Sequence, residues 1–155
     1  MNNPELPDKQ VESFHQQIVE LIKKYQFRDR NQILGCGISV SQCYILETLY
    51  THGALTVNEL AKKMFLSIST VTRVVDQLVN KKYVTREESF EDRRVRLIKL
   101  TEAGEAVYQE SWLNVFQSEK TILENFPPEH REMLIDFLKK LNQSVDNWQA
   151  TCKRE

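Results

Sequence analysis

Two adjacent arginines, Arg93 and Arg94, follow two acidic residues in the charged stretch from Ser89 to Arg94. The runs on either side are rich in β-forming residues, so we expect the arginines at the tip of a hairpin. A planar guanidinium on a projecting loop suits the narrow, electronegative minor groove of DNA. We expect Asp92 to accept a hydrogen bond from Arg94 and to fix the direction of that side chain. The stretch therefore indicates DNA recognition, although an incidental surface ion pair would give the same pattern.

A second set of residues with the same chemistry lies upstream, on a predicted helix from Ile68 to Lys81. One side of this helix is apolar and should pack inward, through Ile68, Val71, Val75 and Leu78. The opposite side is polar, and Arg73 and Gln77 have the reach to contact base edges or phosphates. At the helix start, free backbone N–H groups favour a phosphate. The predicted DNA contacts on this helix are Ser67, Ser69, Thr70, Thr72, Arg73 and Gln77.

Capping signals and periodicity predict the elements that hold these residues. Ser39 and Thr56 each begin a capping box, glycines interrupt the chain at 35, 37 and 53, and Gly53 suits the left-handed residue after a helix. Two short helices joined by the turn at 65–67 form a helix-turn-helix. The predicted elements are helices over 9–34, 40–52, 57–64 and 68–81, strands over 83–88 and 95–100, a helix over 102–125 and a helix after Pro128.

The predicted fold is mainly α (α+β), a winged helix-turn-helix core with a two-stranded wing, flanked by long N- and C-terminal helices. We expect an N-terminal dimerisation helix over 1–38, a DNA-binding core over 39–101 and C-terminal dimerisation helices over 102–155. The narrow apolar stripes on the outer helices need a partner, and a twofold dimer is the commonest source of one. Pairing of the two outer helices within one chain is the alternative.

Charge is distributed unevenly along the 155 residues, whose net charge is −1. Residues 62–99 hold ten Lys and Arg against five Asp and Glu, whereas the remaining residues hold eleven against seventeen. A basic segment in an acidic chain is typical of a protein that contacts phosphates with one face, so double-stranded DNA is the expected partner. No apolar run reaches the length of a membrane span and no signal peptide is recognisable, so we expect a cytoplasmic protein without a membrane partner.

Three cysteines, at 36, 43 and 152, form no C-x-x-C motif and have no nearby histidine pair. We therefore expect no disulfide framework, no metal site and no cofactor. Cys36 and Cys43 are candidate sensors of oxidants or soft metals, although a free cysteine is more often plain core packing. His15, His52 and His130 are scattered, and we assign them no catalytic or metal-binding role.

The stretch Asp92–Thr101 (DRRVRLIKLT), continued by Glu102-Ala103-Gly104, resembles the D-x-R-x-x-x-x-x-L-T wing signature of the MarR-type regulators. Residues 60–78 also resemble that family's DNA-reading segment, and the likeness extends over about Val11 to Trp148. The resemblance implies a homodimer that binds a pseudo-palindromic operator and commonly represses genes. It also implies release of DNA by a small-molecule effector or an oxidant, whose identity the sequence does not give.

Two other classes of function compete with a DNA-binding regulator. A winged helix can serve as a protein-interaction module without DNA readout, but such a module has no need for Arg73, Arg93 and Arg94 on one surface. A thiol enzyme would need a base beside Cys36 or Cys43, and the sequence offers no such arrangement. We therefore predict a non-enzymatic regulator.

Overall fold

The computed structural model describes residues 6–152, and within them the chain forms six α-helices and one two-stranded antiparallel sheet. The order of elements is the predicted one, and each boundary agrees with the prediction or differs from it by one residue. The elements are α1 Asp8–Leu34, α2 Val40–His52, α3 Val57–Met64, α4 Ile68–Asn80, β1 Val84–Glu88, β2 Arg96–Leu100, α5 Glu102–Glu124 and α6 Pro128–Cys152.

Both predicted capping boxes are present. The Ser39 hydroxyl accepts a hydrogen bond from the Gln42 backbone N–H, and the Gln42 side-chain oxygen accepts one from the Ser39 N–H, each at 3.2 Å. Thr56 and Glu59 make the equivalent pair at 3.2 and 2.8 Å. These reciprocal bonds satisfy backbone donors that the first turn of a helix leaves without partners, and so fix where α2 and α3 begin.

The apolar side of α4 lies in the core that α2, α3 and the hairpin share. Its buried residues are Val71, Val74, Val75 and Leu78. The prediction for Ile68 was wrong, because this side chain is 55% exposed. Ile68 is the first residue of the helix and precedes the turn that enters the core, so Val74 completes the buried stripe instead.

The hairpin is attached to the helix-turn-helix at its base. Its register runs from Val84 opposite Leu100 to Glu88 opposite Arg96. Leu55, just before α3, exchanges two backbone hydrogen bonds with Ile98 of β2, at 3.1 and 2.7 Å. Because Ile98 is fully buried, this bridge fixes the wing relative to the start of α3.

Two glycines are required by geometry. Gly53 ends α2 with φ 78° and ψ −158°, a region that is essentially open to glycine alone; the positive φ was predicted, but the left-handed helical conformation was not adopted. Gly104 lies in the first turn of α5, where a Cβ would come within 2.0 Å of the Tyr83 carbonyl oxygen. The Thr101 hydroxyl caps that turn by accepting from the Gly104 N–H at 3.1 Å.

The described chain divides into two compact units, one ending at Val115 and one starting at Phe116. In the first, α1 exposes an apolar stripe that includes Val11, Phe14 and Leu21. In the second, α6 buries none of its residues, and it exposes Met133, Phe137, Leu138, Val145 and Trp148. No helix among residues 6–152 combines the length and the apolar character that a membrane crossing requires.

We expect Gly104→Ala to destabilise the protein by about 1–3 kcal/mol or more, the range for a methyl group forced into a filled site. The neighbour is a backbone carbonyl, which cannot rotate away. Gly35→Ala is the matched control, because Gly35 has ordinary helical φ and ψ and open space around it. Urea unfolding at equal protein concentration measures both, and equal midpoints for the two variants would contradict this role of Gly104.

Candidate nucleic-acid interface

The start of α4 presents hydroxyl groups and an electropositive helix end. Ser67 caps the helix by accepting from the Thr70 backbone N–H at 3.2 Å, and its hydroxyl also contacts those of Ser69 and Thr70 at 3.0 and 2.8 Å. No acidic residue lies in the first turn of α4, whereas Glu59 occupies that position in α3. Of the two helix starts, that of α4 is therefore the better suited to an anion.

The outward side of α4 carries the predicted polar residues, but they are not equally available. Arg73 is exposed, and the structure shows no ion pair for it among residues 6–152. The Thr72 hydroxyl donates to the Ile68 carbonyl at 2.8 Å, so its oxygen can still accept a hydrogen bond but has no proton left to donate to a ligand. Asp76 is paired with Arg86 of β1, which neutralises an acidic group on this face and joins α4 to the wing.

Gln77 is exposed, but its side chain is already engaged by α2. Its Oε1 accepts a hydrogen bond from Gln42 Nε2 at 2.9 Å. The Lys81 ammonium donates to Gln42 Oε1 at 3.0 Å and to the Gly37 carbonyl at 2.7 Å. These bonds connect α4 to the turn between α1 and α2. Neither Gln42 nor Lys81 stood out in the sequence, since a capping glutamine and a helix-end lysine each have an ordinary local explanation.

At the wing tip, the predicted role of Asp92 needs correction. Its Oδ1 accepts from the backbone N–H of Arg94 at 2.9 Å, rather than from the guanidinium, and its carbonyl accepts from the Val95 N–H at 2.9 Å. Asp92 therefore shapes the turn and does not orient the Arg94 guanidinium. Arg93 and Arg94 are exposed, and neither forms an ion pair within the described part of the chain.

A groove of about 330 Å³ lies between the start of α3 and the wing. Its lining residues are Thr56, Val57, Asn58, Arg94, Val95 and Arg96. Arg96, which was not among the predicted contacts, also pairs with Glu88 across the hairpin at 3.2 Å. No sequence signal pointed to Arg96, because its pairing with Glu88 depends on the register of the hairpin.

The two predicted sensor cysteines differ in environment. Cys43 is buried, and this burial together with the neighbouring Glu47 raises the pKa of its thiol to about 12. Cys36 is half-buried, and its Sγ accepts from Asn114 of α5 at 3.7 Å, while Cys43 lies close to Ser111, one turn earlier on α5. Both thiols therefore lie against the same stretch of α5. In residues 6–152, no three His, Cys, Asp or Glu side chains are grouped closely enough to hold a metal ion.

Ionisable groups surround Cys43. The Asp29 carboxylate, only 4% exposed, is bound by Arg28 at 2.6 Å and by the Tyr44 hydroxyl. Burial, assisted by Asp29, raises the pKa of Glu47 above its usual range. The junction of α1, α2 and α5 therefore contains partly or fully buried ionisable side chains, which core packing alone does not require.

Comparison with known proteins gives these features a context. The MarR family profile matches residues 38–95, from the end of the α1–α2 turn to the wing. The chain is 31% identical over 132 residues to the uncharacterized HTH-type transcriptional regulator YdgJ of Bacillus subtilis, covering 81% of this chain and 80% of that protein. The chain belongs to the MarR family. It is also 35% identical over 74 residues, 48% of each chain, to the B. subtilis HTH-type transcriptional repressor MdtR.

Structural comparison supports the same assignment. A MarR family protein from Bacillus stearothermophilus superposes with a TM-score of 0.83 at 28% identity, covering 91% of this chain and 99% of the other. The MarR family consists of DNA-binding transcription regulators rather than enzymes. The predicted family, winged-helix fold and function class are thereby confirmed.

Proposed function

We propose that this MarR family regulator is a homodimeric repressor that binds a pseudo-palindromic operator with α4 and the wing of each subunit. The observation that carries the proposal is the exposed set of arginines, Arg73 on α4 with Arg93 and Arg94 on the wing, on elements joined by the Arg86–Asp76 pair. In this arrangement α4 enters the major groove and the wing reaches the minor groove. Repression is inferred from the likeness to MdtR.

The operator contacts follow from the chemistry of each element. The hydroxyls of Ser67, Ser69 and Thr70 and the start of α4 bind a backbone phosphate. Thr72, Arg73 and Gln77 face the base edges. At the wing, Asp92 holds the turn from which Arg93 and Arg94 reach the DNA. A winged helix that only bound protein would leave these three arginines without a purpose, which disfavours that alternative.

Dimerisation is proposed through the terminal helices. The exposed stripes of α1 and α6 are apolar surface that a second subunit would cover. A twofold dimer places two recognition helices about 34–36 Å apart, one turn of DNA, so that each reads one half-site. The corresponding functional segments are 1–38 and 102–155 for dimerisation and 39–101 for DNA binding, in a protein that acts in the cytoplasm.

Release from DNA is proposed to begin at the junction of α1, α2 and α5. The buried Asp29, the half-buried Glu47 and the thiols of Cys36 and Cys43 lie there, and Lys81 and Gln42 connect the same junction to α4. A small ligand in this region, or oxidation of the two thiols, would therefore shift the recognition helix.

We expect Arg94→Ala to weaken operator binding by about 1–3 kcal/mol, the scale of one good arginine contact. The probe is a duplex that the wild-type protein selects from a random pool, and fluorescence anisotropy gives Kd. Lys24→Ala removes the same charge from an exposed position on α1, outside the proposed DNA contacts, and should change Kd little as long as the variant remains a dimer. Equal losses for the two variants would show that only net charge matters, which contradicts a specific wing contact.

We expect Cys36→Ser and Cys43→Ser to bind the operator as the wild type does under reducing conditions, because neither thiol belongs to the proposed interface. After peroxide or a thiol-reactive metal is added, the wild type should lose affinity and at least one variant should keep it. Kd before and after treatment measures this. If both variants respond as the wild type does, sensing through a Cys36–Cys43 disulfide is excluded.

A further inference from the structure

A chain of polar side chains connects the buried Gln42, in the first turn of α2, to the outward side of α4. Gln42 is only 5% exposed, and its Oε1 receives hydrogen bonds from the Lys81 ammonium at 3.0 Å and from the Ser39 backbone N–H at 3.2 Å. Its Nε2 donates to Gln77 Oε1 at 2.9 Å. Gln77 itself is exposed on α4.

The partners of Gln42 determine how both amides are oriented. An ammonium and a backbone N–H can only donate, so the atom of Gln42 that meets them must be its oxygen. The amide nitrogen of Gln42 then donates toward Gln77, so the Gln77 atom that accepts this hydrogen bond must be its side-chain oxygen. The NH₂ group of Gln77 is therefore the part presented outward, and it has no hydrogen-bond partner among the residues that the structure describes.

We propose that Gln77 is a specificity-determining residue that reads hydrogen-bond acceptors in the major groove, and that Gln42 imposes this choice without contacting DNA. This inference rests on the proposed function, because it requires α4 to face base edges. The acceptors available are guanine O6 and N7, adenine N7 and thymine O4. Glutamine can recognise adenine with two hydrogen bonds, one donated by its NH₂ group and one accepted by its side-chain carbonyl. This mode is disfavoured for Gln77, because its carbonyl oxygen already accepts a hydrogen bond from Gln42.

The structure also offers a substitution that reverses the orientation. In Gln42→Glu the side chain keeps its place at the third position of the capping box, where glutamate serves as well as glutamine. It also gains an ion pair with Lys81. A carboxylate cannot donate, however, so Gln77 must rotate its amide to offer NH₂ inward and turn its carbonyl outward. Gln77 would then read donors, adenine N6 or cytosine N4.

The test is a set of parallel selections from one pool of 40-base-pair duplexes with randomised centres, using the full-length wild type, Gln77→Ala, Gln42→Glu and the double variant. Kd values for single base-pair changes in the wild-type consensus follow. We expect Gln77→Ala to relax preference at one symmetric pair of positions. At those positions Gln42→Glu should change the preferred base, by about three- to tenfold in relative affinity, the scale of one hydrogen bond. The double variant should match Gln77→Ala, since Gln42 acts through Gln77.

Several outcomes would overturn the inference. It fails if Gln42→Glu keeps the wild-type base preference at the positions that Gln77→Ala relaxes, or if the double variant still differs from Gln77→Ala. It also fails if Gln77→Ala relaxes no position while the wild type selects a consensus, and the proposed function then stands. If the wild type selects no sequence at all, the proposed function itself has failed.

A purely structural role of Gln42 would lower affinity equally for every duplex and would leave base preference unchanged. Gln42→Met separates the two effects, because it removes both the donor and the acceptor and frees Gln77 to rotate. We expect this variant to broaden preference at the same positions by a similar factor while binding at the others is retained. The thermal unfolding midpoint of each variant, measured beside that of the wild type, checks that each variant is folded at the temperature of the binding assay.

Discussion

The burial of one side of α4 is the constraint on which the rest of the structure depends. Four apolar residues, Val71, Val74, Val75 and Leu78, lie between 0 and 6% exposed in the core shared with α2, α3 and the hairpin. Burying a large apolar side chain stabilises the fold by roughly 1.5–3 kcal/mol. Because all four residues lie on one side of α4, their burial fixes the rotation of the helix about its axis. The polar side must then face outward. The Leu55–Ile98 bridge fixes the wing to the same core, so α4 and the wing are held as one surface.

The hydrogen bonds that orient α4 also connect it to the place where a signal could act. Lys81 reaches the Gly37 carbonyl in the turn between α1 and α2, and this turn contains Cys36. The turn is built around Gly37, whose φ of 73° favours glycine. A change of backbone conformation at this turn would remove an acceptor from Lys81, and so loosen the α2–α4 connection. Recognition and release would therefore use the same few polar contacts.

The sequence predicted what is encoded locally. Both capping boxes, the turn at 65–67 and the hairpin were found because their signals lie within a few residues of one another. The Gln42–Gln77 and Arg86–Asp76 pairs were missed because they join residues 35 and 10 positions apart, and no periodicity records which distant polar groups meet. Ile68 was misplaced for a related reason, since helical spacing gives the side of a helix but not where the core ends along it. The remaining predicted DNA contacts stay predictions.

Binding of DNA by α4 and the wing together is tested most directly by the salt dependence of affinity. Affinity for a mixed-sequence 40-base-pair duplex would be measured at several salt concentrations from about 50 to 200 mM, the range over which released counterions dominate. Three exposed arginines and one helix start per subunit of a dimer predict a plot of log K against log salt with a slope of about −4 to −8. A slope near zero, or no binding at the lowest salt, would contradict the claim.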